Sequence, residues 1–296
     1  MRVSTLSTYL TTAQGLGEAL SRVQQEQGRV ASGKTLTRWS DDAAAAASAE
    51  RYRAQESDWS SYRRTATDAK SWLGAADGAL QSMSSVMTRV KQLAVSAVSG
   101  GLTTASRTAI ADEVDQLRTE LRDLANTTHL GRSLFGGFSS TAIATSGTAM
   151  TWAGDDGAVQ RQVSPTITLQ VNLSGKDVLG FGAPAGEDVF SALSTLSTAV
   201  RAGDNAGVAS AQGVLQNRHD DILKGLSQVG TTSNRVDTAY DAGGAALEQL
   251  AGRRSELEDV DMADAVLKLN AAQAGYTAAL GAAARANLPS LAEFLR

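Results

Sequence analysis

The chain has 296 residues, two histidines, no cysteine and a formal net charge of −4. The lack of cysteine excludes disulfide scaffolds, thiolate metal sites and thiol nucleophiles, and two histidines are too few for a histidine-rich metal site. The acidic balance argues against a general nucleic-acid surface, so we expect no nucleic-acid partner. No proline precedes Pro165. The first half of the chain is therefore free to form long helices, because one proline costs about 3 kcal/mol inside a helix.

The sequence shows no features of membrane targeting. Met1–Leu10 has no basic start followed by an apolar run, so we expect no ordinary signal peptide. The most apolar stretch, Leu269–Ala284, is mainly alanine and contains Asn270, Gln273 and Thr277. We therefore expect no membrane span and no membrane partner.

The first predicted helix carries a single apolar stripe. Its apolar residues recur every three or four positions from Val3 to Val30, which is typical of an amphipathic helix. A lone helix with so few large apolar contacts is marginal in water. We therefore expect it to pack against a second helix.

A much longer helix is predicted after a break at residues 31–42. Ser40 is a suitable N-cap, and two aspartates follow it where the helix dipole favours negative charge. The helical pattern then extends from Ala43 to Val98, roughly 80 Å at about 1.5 Å per residue. Two glycines end it, and the third predicted helix places the following residues on one face: Ile110, Val114, Leu117, Leu121 and Leu124.

The middle of the chain changes character at residues 138–186, which are rich in serine, threonine and glycine. Gly154–Gly157 and Ser174–Asp177 are predicted turns. Apolar residues alternate with polar ones between them, as in a half-buried strand, and they are Ile167, Leu169, Val171 and Leu173. This segment is predicted to be a small β-rich insertion.

Helices resume at Glu187 and continue to Gly203, and a last helical pattern extends from about Gly207 to Ala286. Each glycine inside this pattern costs about 1 kcal/mol relative to alanine, so packing must hold the helix. Its final part has spacings compatible with coiled-coil heptads.

These elements predict a mainly α fold, in which the N- and C-terminal halves form a long antiparallel helical hairpin or bundle with a small central β insertion. We expect three regions: terminal coiled-coil helices (1–40 with 262–296), a long-helix bundle (41–137 with 187–261) and the β-rich insertion (138–186). The paired ends bury only about one layer, so the remaining stripe predicts intermolecular contacts. The candidate assembly interface consists of Val3, Leu6, Leu10, Leu16, Leu20, Val23, Val266, Leu269, Tyr276, Leu280, Leu291 and Phe294.

One segment matches the phosphate-binding P-loop pattern G-x-x-x-x-G-K-[ST], namely Gly28–Thr35. A P-loop requires an apolar strand before it, whereas Arg22–Gln27 is polar and helical in pattern. We therefore interpret Gly33 as a helix end with Lys34 near the negative pole of that helix. Nucleotide binding stays a distant alternative, and we expect no cofactor.

The other polar groups have structural interpretations. Asp155 and Asp156 lack the alternating oxygen ligands of a calcium loop, so a hairpin turn is predicted. His129 and His219 have no evident serine or aspartate partner. An acidic cluster is interpreted as a solvated helix face, or as a partner for basic residues such as Lys34; it contains Glu256, Glu258, Asp259, Asp261 and Asp264. We find no catalytic or metal-binding constellation and expect no enzyme.

The order and spacing of several motifs resemble those of the flagellin-like proteins of the bacterial flagellum. The resemblance extends over essentially the whole chain and is looser in the predicted insertion. Its carrying segments are Met1–Thr5, Ala31–Lys34, Ser40–Asp42, Arg107–Leu117, Leu124–Asn126, Gly131–Gly137, Glu258–Asp261 and Leu288–Leu295.

Within that family the chain resembles two kinds of protein. Leu124–Asn126, Phe135–Gly137 and Leu288–Leu291 are similar to the hook–filament junction proteins, also called flagellin-like hook-associated proteins. Asp41–Ala44 is more similar to flagellin, because proline usually flanks these aspartates in the junction proteins. Flagellin is therefore the main alternative, and a cytosolic coiled-coil adaptor is a weaker one.

The resemblance implies a structural role. Copies would assemble in a ring between hook and filament, with the terminal helices packed as an inner coiled coil and the β insertion facing outward. Export through the flagellar type III apparatus would place the protein outside the cell without a signal peptide. The implied partners are copies of the chain itself, the companion hook-associated protein, flagellin and a cytosolic flagellar export chaperone.

Overall fold

The computed structural model describes residues 2–98, 101–147 and 149–286. The chain divides into two compact units, one formed by Met1–Asp58 with Ala246–Arg296 and the other by Trp59–Ala245. The predicted fold class is confirmed, since long helices pack antiparallel and small β hairpins lie in the middle of the chain. The predicted division into three regions stays a prediction.

Seven helices occur in the described part of the chain. The second and sixth have 56 and 54 residues, so each is roughly 80 Å long at about 1.5 Å per residue. The predicted limits of the second helix are confirmed. The helices are α1 (Arg2–Ser32), α2 (Ala43–Val98), α3 (Thr104–Ala125), α4 (Gly175–Leu179), α5 (Val189–Ala202), α6 (Asn205–Glu258) and α7 (Met262–Ala286).

Six short strands form three antiparallel hairpins within the described residues. Ile143 pairs with Trp152 in the second hairpin, and Arg161 pairs with Leu169 in the third. The predicted alternation is confirmed for Leu169, Val171 and Leu173, which are buried, whereas Ile167 is 41% exposed and Asn172 is buried. The strands are β1 (Thr128–His129), β2 (Arg132–Ser133), β3 (Ile143–Ser146), β4 (Ala149–Trp152), β5 (Gln160–Gln162) and β6 (Thr168–Gln170).

The prediction of one helix over residues 207–286 is wrong. That stretch contains two helices, because α6 ends at Glu258 and α7 begins at Met262. The Asp261 carboxylate caps α7 by accepting a 2.9 Å hydrogen bond from the amide of Ala263. The break also frees the Val260 amide, which donates a 3.0 Å hydrogen bond to the carbonyl of Gly33.

The predicted N-cap of α2 is also wrong. Asp42, not Ser40, caps this helix, because its Oδ1 accepts hydrogen bonds of 3.0 and 2.9 Å from the amides of Ala44 and Ala45. Asp41 lies outside the helix and closes the preceding turn, where its Oδ2 accepts from the amide of Arg38 at 2.9 Å. Asp42 directly precedes the first residue of α2, so it takes the capping position predicted for Ser40.

Two predicted turns have other structures. Gly154–Gly157 is not a hairpin turn but an unpaired loop. The Asp155 carboxylate fixes this loop by accepting 2.8 Å hydrogen bonds from the amides of Phe138 and Gly157. The predicted turn at Ser174–Asp177 is the start of helix α4.

The core of the Trp59–Ala245 unit has a seven-residue repeat on its two long helices. A period of seven keeps one helix face toward its neighbours over many turns. Each residue of the repeat is at most 3% exposed. The repeat consists of Leu73, Leu80, Met87 and Ala94 on α2 and Val208, Leu215, Ile222, Val229 and Val236 on α6.

Helix α3 packs against α5 in the same unit. The Ser197 hydroxyl donates a 3.3 Å hydrogen bond to the carbonyl of Ala111. Arg201 lies one turn further along α5 and binds the carboxylates of Asp112 and Asp115 at 2.5 and 2.9 Å. These ion pairs are largely exposed, so packing contributes most of the stability of this helix pair.

The glycines of α6 differ in their surroundings, and this leads to a stability prediction. A Cβ on Gly230 would have no neighbouring atom within 4 Å, whereas a Cβ on Gly225 would lie 3.3 Å from the side chain of Val178. We expect Gly230→Ala to raise the free energy of unfolding by about 1 kcal/mol, because alanine restricts the unfolded chain. Urea unfolding checks this. Gly225→Ala is the matched control and should give a smaller gain or a loss.

Candidate assembly surface

Helices α1 and α7 pack against each other within the unit formed by the two chain ends. Ala19 and Val23 on α1 are 8% and 7% exposed, and Ala265 on α7 is fully buried. Leu269 and Tyr276 are half-buried on the same face of α7. The buried positions are spaced by three or four residues, so the two helices share one narrow apolar stripe.

Pairing leaves many large apolar side chains of these two helices in solvent. Seven of them are between 40% and 68% exposed. Exposed apolar side chains of this size are typical of a surface that binds another molecule when they occur together. They are Tyr9, Leu10 and Leu20 on α1 and Met262, Val266, Leu267 and Leu280 on α7.

The predicted interface residues fall into three groups. Leu16, Val23, Leu269 and Tyr276 face the partner helix within the chain. Four others are exposed: Leu10, Leu20, Val266 and Leu280. The third group is not described: Val3 and Leu6 lie in α1 with side chains outside the described set, and Leu291 and Phe294 lie outside the described residues.

Sequence reasoning missed Tyr9, Met262 and Leu267 as exposed apolar residues and Ala19 and Ala265 as buried ones. Small alanines at the buried positions let two helices approach closely, but alanine is too common in this chain to mark a seam. The missed large residues lie outside the predicted stripe. Whether these residues face solvent or the neighbouring helix depends on the angle at which α1 and α7 pack.

A cluster of ion pairs joins the end of α1 to the start of α2 and the end of α6. We call it the Glu258 clasp, formed by Lys34, Arg53, Arg254, Glu258 and Asp259. The Glu258 side chain is 3% exposed and binds Arg53 at 2.7 Å, Arg254 at 3.3 Å and Lys34 at 3.4 Å. Lys34 also binds Asp259 at 2.5 Å. Three cations therefore surround one buried carboxylate, which compensates the cost of its burial.

Backbone hydrogen bonds fix the same junction. Gly33 ends α1 with a left-handed φ of 66°, which glycine adopts without strain. The amide of Thr35 donates to the carbonyl of Glu258 at 2.6 Å. The predicted helix end at Gly33 is thus confirmed. A helix precedes Lys34 where a P-loop needs a strand, so the nucleotide-binding alternative is wrong for this segment.

The clasp shifts the pKa values of its exposed members in opposite directions. The hydrogen bond from Lys34 lowers the pKa of the Asp259 carboxyl, and a second one from Ser255 acts in the same direction. The hydrogen bond to Asp259 raises the pKa of the Lys34 ammonium against an opposing desolvation effect. Both groups are therefore held in their charged forms.

Glu258 corrects the interpretation of the acidic cluster. Glu256, Asp259, Asp261 and Asp264 are exposed, but Glu258 is not part of a solvated face. The alternative contact with Lys34 is confirmed. Its partners Lys34 and Arg53 are 224 and 205 residues away in sequence, so no local spacing indicated them.

The two histidines lie against neighbours that the sequence did not reveal. His129 packs edge-on against Trp72, with ring centroids 5.9 Å apart. His219 does have a serine partner, which corrects the prediction, because the Ser84 Oγ lies 2.9 Å from its Nε2. The Lys91 ammonium is at Nδ1, where a hydrolase places a carboxylate. The positive charge of Lys91 therefore destabilises the protonated imidazole ring, which a histidine must form when it acts as a general base.

The surroundings of His219 predict a pH effect on stability. Burial, with a further contribution from Lys91, lowers its pKa below the ordinary 6.5. Below about that pH the unfolded chain binds a proton that the folded chain does not. The free energy of unfolding therefore decreases as the pH is lowered. We expect His219→Gln to lose less stability than the wild type between about pH 7 and pH 5, as measured by urea unfolding. An equal or greater loss would contradict this.

The described residues contain no group of three or more His, Cys, Asp or Glu side chains arranged to hold a metal ion. Of the helices in the described part of the chain, none is long and apolar enough to cross a membrane.

Two family models match the chain. The bacterial flagellin N-terminal helical region matches residues 3–140, and the bacterial flagellin C-terminal helical region matches residues 213–295. Together they cover parts of both units and most of the long helices.

Several curated relatives are named flagellin. A flagellin of Bacillus subtilis is 26% identical over 272 residues, which cover 89% of this chain and 88% of that protein. A flagellin of Clostridium tyrobutyricum is 32% identical over 152 residues, or 51% of this chain. The matches span only 39% of the Clostridium protein and 36% of polar flagellin F of Vibrio parahaemolyticus.

Solved structures share the fold. A structure named as a flagellar hook-associated protein of Vibrio parahaemolyticus has a TM-score of 0.69 at 18% identity and covers 74% of this chain and 100% of its own. Flagellar hook-associated protein-3 of Legionella pneumophila has a TM-score of 0.63 at 14% identity, with coverage of 70% and 98%. FlgL of Bacillus cereus has a TM-score of 0.60 at 22% identity, with coverage of 69% and 99%.

Proposed function

The chain belongs to the bacterial flagellin family, and from that membership we propose that it is a structural subunit that joins the flagellar hook to the filament by assembling into a ring of its own copies. The observation that carries the proposal is the set of seven exposed apolar side chains on α1 and α7. These helices are already paired within the chain, so the exposed side chains are available to other subunits. The proposal includes no catalytic step.

The energetics support assembly through this surface. Burying a leucine or valine side chain fully contributes about 1.5–3 kcal/mol. Bringing two proteins together costs about 4–15 kcal/mol of lost freedom. The seven side chains are only 40–68% exposed, so each has part of this energy left to gain, and one such surface gives a weak contact between two copies. Closure of a ring gives each copy two such contacts, which stabilises the assembly without a larger interface.

The location at the hook–filament boundary rests on motif and fold likeness. Leu124–Asn126 and Phe135–Gly137 resemble the junction proteins, and solved structures with this fold are named as hook-associated proteins. We propose that the companion hook-associated protein and flagellin are the neighbours on either side. The β-rich segment 138–186 faces outward in this proposal, and the ends 1–40 and 262–296 form the inner coiled coil.

A role as a filament subunit is the second candidate. It is favoured by the Bacillus subtilis flagellin, whose match covers almost the full length of both proteins. In either role the protein works outside the cell, and we propose that the type III apparatus exports it. The exposed stripes of α1 and α7 are the surface that a cytosolic export chaperone would cover before export.

Gene deletion and labelling test the proposal. If the chain is a junction protein, a deletion strain builds hooks, releases unpolymerised flagellin into the medium and has no filaments. A label on the chain then marks one band at the base of each wild-type filament. Labelling along the whole filament selects the second candidate instead. Normal filaments in the deletion strain contradict both roles.

A further inference from the structure

The hairpin of β1 and β2 has an unfavourable residue at its tip. His129 pairs with Arg132, and the two residues between them both have left-handed backbones, with φ of 50° at Leu130 and 76° at Gly131. Two-residue turns of this type prefer asparagine before glycine, because asparagine tolerates the left-handed region. Leucine does not, and Leu130 is the one non-glycine residue with positive φ among the described residues.

The strained leucine gains no compensating contact within its own chain. Its side chain is 88% exposed, the highest exposure among the large apolar residues described. Beside it, the Arg132 guanidinium lies 6.0 Å from the ring of Phe138, which is itself 63% exposed. The hairpin therefore presents an apolar tip next to a positive charge. Strain of this kind is typical of sites that bind another molecule.

The same unit contains a hollow that suits such a tip. It has a volume of about 580 Å³ and is open to solvent. The rings of Trp152 and Phe181 line it with centroids 5.9 Å apart, and both are half-buried. Asp188 and Arg118 both line it, and the Asp188 carboxylate also caps helix α5, where its Oδ1 accepts hydrogen bonds from two backbone amides. The lining is mixed, because polar residues such as Thr151 and Ser191 stand beside the two rings, which form its apolar part.

We infer that Leu130 inserts into the Trp152–Phe181 hollow of a second copy of this chain, with Arg132 next to Asp188 of that copy. The tip and the hollow lie at different places on one chain, so each copy both donates a leucine and accepts one. Such a contact is head-to-tail and repeats from copy to copy, as a ring requires. The inference rests on the self-assembly in the proposed function and adds a second contact, which involves neither α1 nor α7.

Disulfide crosslinking tests the contact, and the chain is suited to it because it has no cysteine. One variant carries Leu130→Cys and a second carries Ala185→Cys at the exposed edge of the hollow. When the two are mixed under assembly conditions and oxidised, we expect a crosslinked heterodimer. Leu223→Cys, on an exposed leucine of α6, replaces Leu130→Cys in the control mixture and should give at least tenfold less.

A substitution that the hairpin tolerates separates binding from folding. Leu130→Asn supplies the residue that this turn prefers, so its melting temperature should equal or exceed that of the wild type. We expect it to raise the critical concentration for assembly at least tenfold in sedimentation. Assembly within twofold of the wild type overturns the inference, as does crosslinking of Leu130→Cys to another flagellar protein in place of the hollow.

The proposed self-assembly and the Leu130 contact fail in different ways. If the wild-type chain assembles and Leu130→Asn assembles equally well, the inference fails and the proposed self-assembly stands. If the wild-type chain does not associate at any concentration reached, both fail together.

Discussion

Leu267→Asp on helix α7 should raise the critical concentration for assembly at least tenfold and leave the folded monomer intact. Leu267 is 68% exposed, so its replacement changes the free energy of unfolding by no more than about 0.5 kcal/mol. An assembly can bury only the part of Leu267 that is still exposed, so the substitution loses about 1–2 kcal/mol of apolar burial and adds a desolvated charge. Since about 1.4 kcal/mol corresponds to tenfold, the expected factor is ten or more.

Sedimentation of purified protein over a concentration series measures this effect. Leu223→Asp is the matched control, because Leu223 is also an exposed leucine on a long helix but lies in the Trp59–Ala245 unit. It should assemble as the wild type does. Equal loss of assembly in both variants would mean that added negative charge, not the surface of α1 and α7, is responsible.

The second large effect is expected at the Glu258 clasp. Glu258→Ala removes the acceptor of three cationic side chains, and hydrogen bonds to charged groups contribute about 1.5–3 kcal/mol. Lys34, Arg53 and Arg254 are between 29% and 50% exposed, so they regain water when the carboxylate is lost. We therefore expect a loss of about 2–3 kcal/mol, below the 3–5 kcal/mol that is typical of a fully buried pair.

Hydrogen exchange locates this loss. Amides of α1 and α7 should exchange about 30-fold or more faster in Glu258→Ala, whereas the seven-residue repeat on α2 and α6 should keep its protection. Glu256→Ala is the matched control, since Glu256 is exposed on the same helix two positions away. If Glu258→Ala exchanges as Glu256→Ala does, the clasp does not hold the terminal helices.

The parts of the fold that follow from helical periodicity could be predicted from sequence. The limits of α2 are one example, because an uninterrupted pattern between two breaks defines them. The break at residues 259–261 could not be predicted in the same way. It contains neither proline nor glycine, and the Val260 amide within it donates a hydrogen bond to the carbonyl of Gly33, near the other end of the chain. Local sequence carries no information about such a contact.

The candidate surface shows the same limit. Spacing identified Val23 and Leu269 as apolar positions of α1 and α7, but it could not say which apolar residues face the partner helix and which face solvent. Leu10 and Leu20 proved exposed, and Glu258 proved buried although glutamate is usually a surface residue. Each outcome depends on how distant segments pack, which only the folded chain determines.

The connection of the two units has a consequence for the order of folding. Residues 59–245 are contiguous, so this unit can fold as soon as its own sequence is available. The unit made by the two ends must instead bring Lys34 to Asp259, 225 residues away in sequence. Forming that contact in an otherwise unfolded chain would require a large loop closure. Prior folding of the contiguous unit shortens the effective loop, so the ends are expected to pair last, and a truncation before Ala246 would remove one unit while sparing the other.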